Sequence, residues 1–338
     1  MSGVPAARVA FYFRLHEVRL GVGDADMAEL TRRFPTVEFR PVDDDAALPA
    51  AVADAEVFAG FIFPADLFSA ARRLRWVHSA SAGIEANLFP ALVDSDVVLT
   101  NAAGLHSVNI PEHCLALMLS LARNFHVAYR LKARREWNRF EVIAGGGGMR
   151  ELAGANVAIL GAGAIGAALA RLTHALGMRV RVLRRRAGLP VEGAEDVVGP
   201  EALLSLLSWA DFVVLAAPLT EDTRGLIDAR ALAAMKSSAH LVNVGRGELV
   251  DDAALVEALR RGAIAGAGLD VFADEPLPAS SPYWTLDNVI ITPHVSGYMP
   301  DFLGRQLRRF ADNLERFLAG RPLEHIVDKR LGYSVPPA

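Results

Sequence analysis

The chain has 338 residues, 52% of them hydrophobic and 22% charged, enough to bury the cores of two ordinary domains. A formal net charge of -4, with acids and bases spread along the chain, excludes a general attraction to nucleic acid or to an anionic membrane surface. The single cysteine, Cys114, excludes an intramolecular disulfide framework and a cysteine-rich metal site, which fits a reducing, cytoplasmic compartment.

The N-terminal stretch MSGVPAARVAFYFRLHEVRL meets charged residues before it can build the apolar region of a signal peptide, and no run of about 18 uncharged apolar residues occurs, so no membrane segment is expected. Short apolar runs follow at 8–13, 37–42, 56–63, 75–80 and 96–101, alternating with helical patterns. That alternation predicts a parallel α/β sheet. An almost uniformly apolar helix is expected at about 110–123, with Pro111 near its start, where a missing N–H costs nothing. Being apolar all round, it should be buried between elements or subunits.

After the charged segment KARREWNRFE, the four consecutive glycines of AGGGGMREL (144–152) mark a turn or loop. A second α/β series then begins, with strands expected at 156–161, 179–183, 211–217, 239–245, 266–272 and 288–293. Six strands with crossovers suit a doubly wound Rossmann sheet. The C-terminal segment DFLGRQLRRFADNLERFLAG places Leu303, Leu307, Phe310, Leu314, Phe317 and Leu318 on one helical face and ends at Gly320. With no strand after it to serve, this helix should return to the N-terminal domain. The expected organisation is a discontinuous substrate domain, 1–102 with 298–338, and a dinucleotide-binding domain, 103–297, with a cleft between them.

The stretch VAILGAGAIGAALARL (157–172) carries Gly161, Gly163 and Gly166 as G-x-G-x-x-G between an apolar strand and an alanine-rich helix. The first glycine permits the tight turn, the second lets backbone N–H groups approach a pyrophosphate, and the third allows close helix–strand packing. Ala164 and Ile165 complete the cradle. A carboxylate about 20 residues downstream would hold the ribose hydroxyls of NAD. Position 184, 18 residues past Gly166, is instead the first of three arginines, Arg184, Arg185 and Arg186. Guanidinium groups bind phosphate through charge-assisted, often bidentate hydrogen bonds. The expected cofactor is therefore NADP(H), with NAD(H) as the alternative; the bland reading of the run is a solvated basic turn.

Three further segments end predicted strands: LVNVGRGELVDDAAL (241–255), GAGLDVFADEPLP (266–278) and NVIITPHVSG (288–297). Together with GAGAIG they resemble the D-isomer-specific 2-hydroxyacid dehydrogenases, most closely the short glyoxylate/hydroxypyruvate reductases acting on small 2-keto acids. The resemblance implies a Rossmann domain beside a smaller flavodoxin-like α/β substrate domain. It also implies NADPH-dependent reduction of a 2-keto acid to the D-2-hydroxy acid. Arg246 would bind the substrate carboxylate and carbonyl oxygen, His294 would be the general acid, and Glu275 would orient the imidazole and stabilise its protonated form. Glutamate at that position disfavours a formate dehydrogenase, where the histidine is paired with glutamine.

By the same resemblance Asp270 fixes the nicotinamide carboxamide, its alternative being to cap a neighbouring loop, and the loop SASAGIE (79–85) offers the N–H groups of Ala82, Gly83 and Ile84 to the substrate carboxylate, its alternative being an ordinary glycine turn. Glu85 stands where many relatives carry aspartate or asparagine. Trp137 resembles a tryptophan that reaches the partner's active site in some dimeric reductases, a core or interface role being its bland alternative. His78 has no acid partner in view and reads as structural. No metal is expected, since hydride transfer needs none. The expected partners are a small 2-keto or 2-hydroxy acid and a second copy of the chain as a homodimer. The competing readings are a phosphoglycerate dehydrogenase-like enzyme and a non-catalytic dinucleotide-sensing corepressor-like protein.

Overall fold

The computed structural model describes residues 6–15 and 18–334. The chain divides into two compact units, one running to Leu105 and resuming at Met299, the other spanning His106–Tyr298.

The first unit is built on five parallel strands, β1 (Ala7–Tyr12), β2 (Val37–Pro41), β3 (Val57–Gly60), β4 (Trp76–Ser79) and β5 (Val98–Thr100), in the order β2-β1-β3-β4-β5. β3 and β4 are buried at every position, as strands covered on both faces must be. One face packs Phe58, Phe63, Val52 and Leu92; the other packs Phe11, Trp76 and the C-terminal helix Phe302–Leu318. That helix returns through Leu307, Phe310, Ala311 and Leu314. The Phe310 ring stacks on Trp76 at 5.2 Å and meets Phe11 edge-on at 5.2 Å. Leu318, expected on the buried face, is 37% exposed, because it falls on the last turn beyond the edge of the sheet contact. The chain stops the helix at Gly320, whose φ of +64° suits glycine.

The second unit is a seven-stranded parallel sheet of order β8-β7-β6-β9-β10-β11-β12, formed by β6 (Asn156–Leu160), β7 (Arg179–Leu183), β8 (Asp196–Val198), β9 (Phe212–Leu215), β10 (His240–Asn243), β11 (Gly266–Leu269) and β12 (Val289–Ile291). The order reverses beside β6, the switch point at which such sheets bind ligands. Six strands are legible as apolar runs. The seventh, β8, is three residues long, lies at the sheet edge and is nowhere fully buried, so it carries no apolar pattern to read.

Helix α1 (Asn109–Ala122) lies on this sheet through Cys114, Leu117, Met118 and Leu121. Gly268 in β11 makes room for it: a Cβ there would stand 3.1 Å from Leu117 Cβ. In the single chain Glu112, Ala116 and Leu119 face outward, so this sheet covers only one side of the helix. Two further helices follow, α2 (Phe125–Arg134) and α3 (Arg139–Ala144), the latter capped by Asn138, whose side chain accepts the Glu141 N–H. The glycine tetrad forms one tight turn, with Gly147 and Gly148 both at positive φ.

Candidate active site

The glycine motif leaves β6 and enters helix α4 (Ala164–Ala175). Gly161 has φ +111°, and a Cβ on Gly166 would stand 1.9 Å from the Gly161 carbonyl oxygen, so both positions exclude any side chain. Gly163 differs: it is the N-cap of α4, no side chain caps the helix there, and a Cβ would meet nothing within 4 Å. The first turn of α4 thus presents its N–H groups to open space at the positive end of the helix dipole, a cradle that fits a pyrophosphate. Ala164 and Ile165 open the helix behind it.

Arg184 follows β7 directly, and its N–H bonds the Val198 carbonyl of the neighbouring edge strand at 3.0 Å. Arg185 and Arg186 are exposed. Neither Arg184 nor Arg186 has a side-chain ion pair or hydrogen bond among the described residues, which leaves guanidinium groups beside the nucleotide strand for an anion from outside.

Arg246 follows β10. Asn243, the last residue of that strand, holds the turn with its side chain, which donates to the Arg246 carbonyl at 2.8 Å and accepts the Gly245 N–H at 3.0 Å. A Cβ on Gly247 would fall 1.9 Å from the Phe272 carbonyl carbon, so the arginine turn is pressed against the segment that carries Glu275. Glu275 accepts the Phe272 N–H on Oε1 at 2.8 Å, and its Oε2 lies 2.6 Å from Nδ1 of His294. Burial works to raise the Glu275 pKa. The hydrogen bonds from His294 and Phe272, with the charges of His294 and Arg246, outweigh it and hold the carboxyl below its usual value. An ionised Glu275 can only accept, so Nδ1 of His294 carries the hydrogen and Nε2 is the nitrogen left for chemistry. The His294 side chain is 47% exposed, and its backbone sits at φ +50°.

Asp270, at the end of β11, is fully buried. Its Oδ1 accepts the Thr292 hydroxyl at 2.6 Å and the Val295 N–H at 3.0 Å, its Oδ2 accepts the Ser296 N–H at 3.0 Å, and its carbonyl accepts the His294 N–H at 2.8 Å. Asp270 thus caps the neighbouring loop, the alternative the sequence offered for it, whereas Asn243 and Thr292 were not singled out in the sequence. They are ordinary polar residues, Thr292 acting through the distant Asp270 and His113 and Asn243 through the turn just after it, and their places at strand ends beside GRG and PH are a signal that could have found them.

In the first unit the loop after β4 carries Ala82, Gly83 and Ile84, none of whose N–H groups has an acceptor among the described residues. Asn101 braces the loop by donating to the Ala82 carbonyl at 2.7 Å. Trp137 is 93% exposed, which removes the core alternative for it. His78 is fully buried. Among the described residues no group of three or more His, Cys, Asp or Glu is placed to hold a metal ion, and no helix is long and apolar enough to cross a membrane.

Residues 115–296 match the family model described as D-isomer specific 2-hydroxyacid dehydrogenase, NAD binding domain. The glyoxylate/hydroxypyruvate reductase B of Yersinia pestis (strain Pestoides F) is 36% identical over 295 residues, 86% of this chain and 89% of that protein. The glyoxylate reductase of Korarchaeum cryptofilum is 34% identical, covering 81% of this chain and 82% of its own. Among solved structures, the NADPH-dependent glyoxylate/hydroxypyruvate reductase of Sinorhizobium meliloti, in complex with NADP and sulfate, superposes with a TM-score of 0.82 at 28% identity over 97% of this chain and 100% of that one. A D-isomer specific 2-hydroxyacid dehydrogenase of Xanthobacter autotrophicus Py2, in complex with NADPH and MES, gives 0.81 at 30% identity over 97% and 99%.

Proposed function

The chain belongs to the D-isomer specific 2-hydroxyacid dehydrogenase family, and we propose that it is an NADPH-dependent reductase of small 2-keto acids of the glyoxylate/hydroxypyruvate kind. The observation that carries this reading is the 2.6 Å pairing of His294 with an ionised Glu275, at the carboxyl ends of the strands that also carry Arg246 and the glycine cradle. When bound, the nicotinamide supplies the hydride that adds to the carbonyl carbon. Arg246 binds the substrate carboxylate and draws charge onto the carbonyl oxygen with its planar fork. His294 delivers the Nε2 proton to that oxygen as negative charge develops there, a service worth ~10²–10⁴-fold. Glu275 keeps the imidazole in one tautomer and one orientation. The N–H groups of Ala82, Gly83 and Ile84 serve the substrate carboxylate.

Arg184, with Arg185 and Arg186, receives the 2′-phosphate in this reading. The support is the arginine run where a ribose-binding acid would repel phosphate, and the NADP and NADPH named with the two structural relatives. Asp270 has one acceptor lobe left for the nicotinamide carboxamide after its bonds to Thr292, Val295 and Ser296.

A homodimer belongs to the same proposal. Phe125, Tyr129, Trp137, Phe140 and Ile143 expose apolar surface along α2, α3 and the turn between them. A patch so concentrated marks an interaction surface, and a second copy is the occupant proposed. Product configuration tests the catalytic reading: hydroxypyruvate with NADPH should give D-glycerate on chiral analysis, and the L-product or none would overturn it.

A further inference from the structure

The His294 loop is held from two sides, by Asp270 beneath it and by α1. Asn109 and His113 are four residues apart and so share one face of that helix. Asn109 Nδ2 donates to the Ser296 carbonyl at 2.7 Å and reaches the Tyr298 carbonyl at 3.4 Å. His113 Nε2 lies 3.0 Å from Thr292 Oγ1 and 3.6 Å from Asp270 Oδ1.

The direction of this chain of bonds follows from counting hydrogens. Thr292 has one hydroxyl hydrogen, and it goes to Asp270 Oδ1 at 2.6 Å. Thr292 Oγ1 can therefore only accept from His113, which must carry its hydrogen on Nε2. The run His113 to Thr292 to Asp270 ends on the carboxylate that receives the Val295 and Ser296 N–H groups, directly after His294. His294 sits at φ +50°, a conformation rare for any residue with a side chain. Such a backbone persists only where its surroundings over-determine it, and here the surroundings are these bonds.

We infer that His113 is a positioning residue for His294, with Asn109 as its companion: α1 fixes the strained turn that aims the imidazole, although it touches neither reactant. The catalytic part of this inference rests on the reductase reading above; the structural part does not.

Two variants of the whole protein separate positioning from packing. His113→Leu fills similar space without a donor, whereas His113→Gln restores a side-chain N–H toward Thr292. Removing one such hydrogen bond should lower kcat about fivefold to tenfold in the Leu variant, with KM and cofactor affinity nearly unchanged, and the Gln variant should recover most of it. Amide hydrogen exchange supplies a readout independent of turnover: Val295 and Ser296 should exchange faster in the Leu variant than in wild type, with the Gln variant close to wild type. Wild-type kcat and unchanged exchange in the Leu variant would overturn the inference, as would a Gln variant no better than Leu. If the wild-type protein reduces no 2-keto acid, the reductase reading fails and the exchange rates alone decide whether α1 holds the loop.

Discussion

His294 Nδ1 and Glu275 Oε2 lie 2.6 Å apart, and the other oxygen of the same carboxylate is tied to the Phe272 N–H, so the imidazole is hung from a group that is itself fixed. Replacing His294 by Gln should leave cofactor binding intact while cutting kcat at least ~100-fold, the low end of a general acid's contribution. Retained turnover would remove His294 from that role. The Glu275 carboxyl is held below its ordinary value, so its contribution to folding is complete above the unfolded carboxyl pKa and is lost only as the pH falls through the lower folded value. Activity loss on mild acidification, well above the carboxylate range, must therefore come from another group.

The glycine motif offers a paired test. Gly166→Ala would force a methyl group to 1.9 Å from the Gly161 carbonyl oxygen, an overpacking that typically costs ~1–3 kcal/mol and here meets backbone that cannot step aside. Gly163→Ala meets nothing within 4 Å and has an ordinary φ of -73°. Thermal unfolding should fall for the first variant and hold for the second, while fluorescence titration should show weaker dinucleotide binding for the second. Undiminished binding by Gly163→Ala would place the pyrophosphate elsewhere.

Arg184→Asp should move preference from NADPH toward NADH. An unfavourable charge beside the 2′-phosphate costs several kcal/mol, so the ratio of kcat/KM values should drop at least ~10-fold. An unchanged ratio would return the arginine run to plain surface.

His78 ties acid stability to the first unit. It is fully buried between Trp76 and Phe310, with Nδ1 2.9 Å from the Thr100 hydroxyl. Burial, helped by the charges of Arg309 and His325, pushes its pKa down to about 3. The folded protein keeps this imidazole neutral while the unfolded chain protonates it near the ordinary histidine value, so the contribution is complete at neutral pH and is lost as pH falls below ~6.5 toward 3. One such group gives a slope of about 1.4 kcal/mol per pH unit between pH 6 and 4. Urea midpoints at several pH values should show a shallower decline for His78→Gln; an equal decline would mean that His78 does not supply it.

Much of the fold is legible because parallel strands buried on both faces write themselves as unbroken apolar runs, as VAIL in β6 and FVVL in β9 do. The glycines of the cradle are legible for a different reason, since Gly161 and Gly166 occupy places that geometry closes to other residues. What escapes is of another kind. β8 is too short and too exposed to leave a pattern, and the outward face of α1 is hard to tell from its buried one because Ala116 and Leu119 on it are apolar as well. Asn109 and His113 act through partners 179 to 189 residues away in sequence, so nothing local distinguishes them, whereas Asn243 and Thr292 leave only the trace of their places at strand ends.

Initial rates of NADPH and NADH oxidation, measured side by side with glyoxylate, hydroxypyruvate, pyruvate and bulkier 2-keto acids, test the central claim most directly. Turnover that favours NADPH and the small 2-keto acids is the expected result. Binding of both dinucleotides without oxidation of either, across the whole panel, would contradict a 2-keto acid reductase.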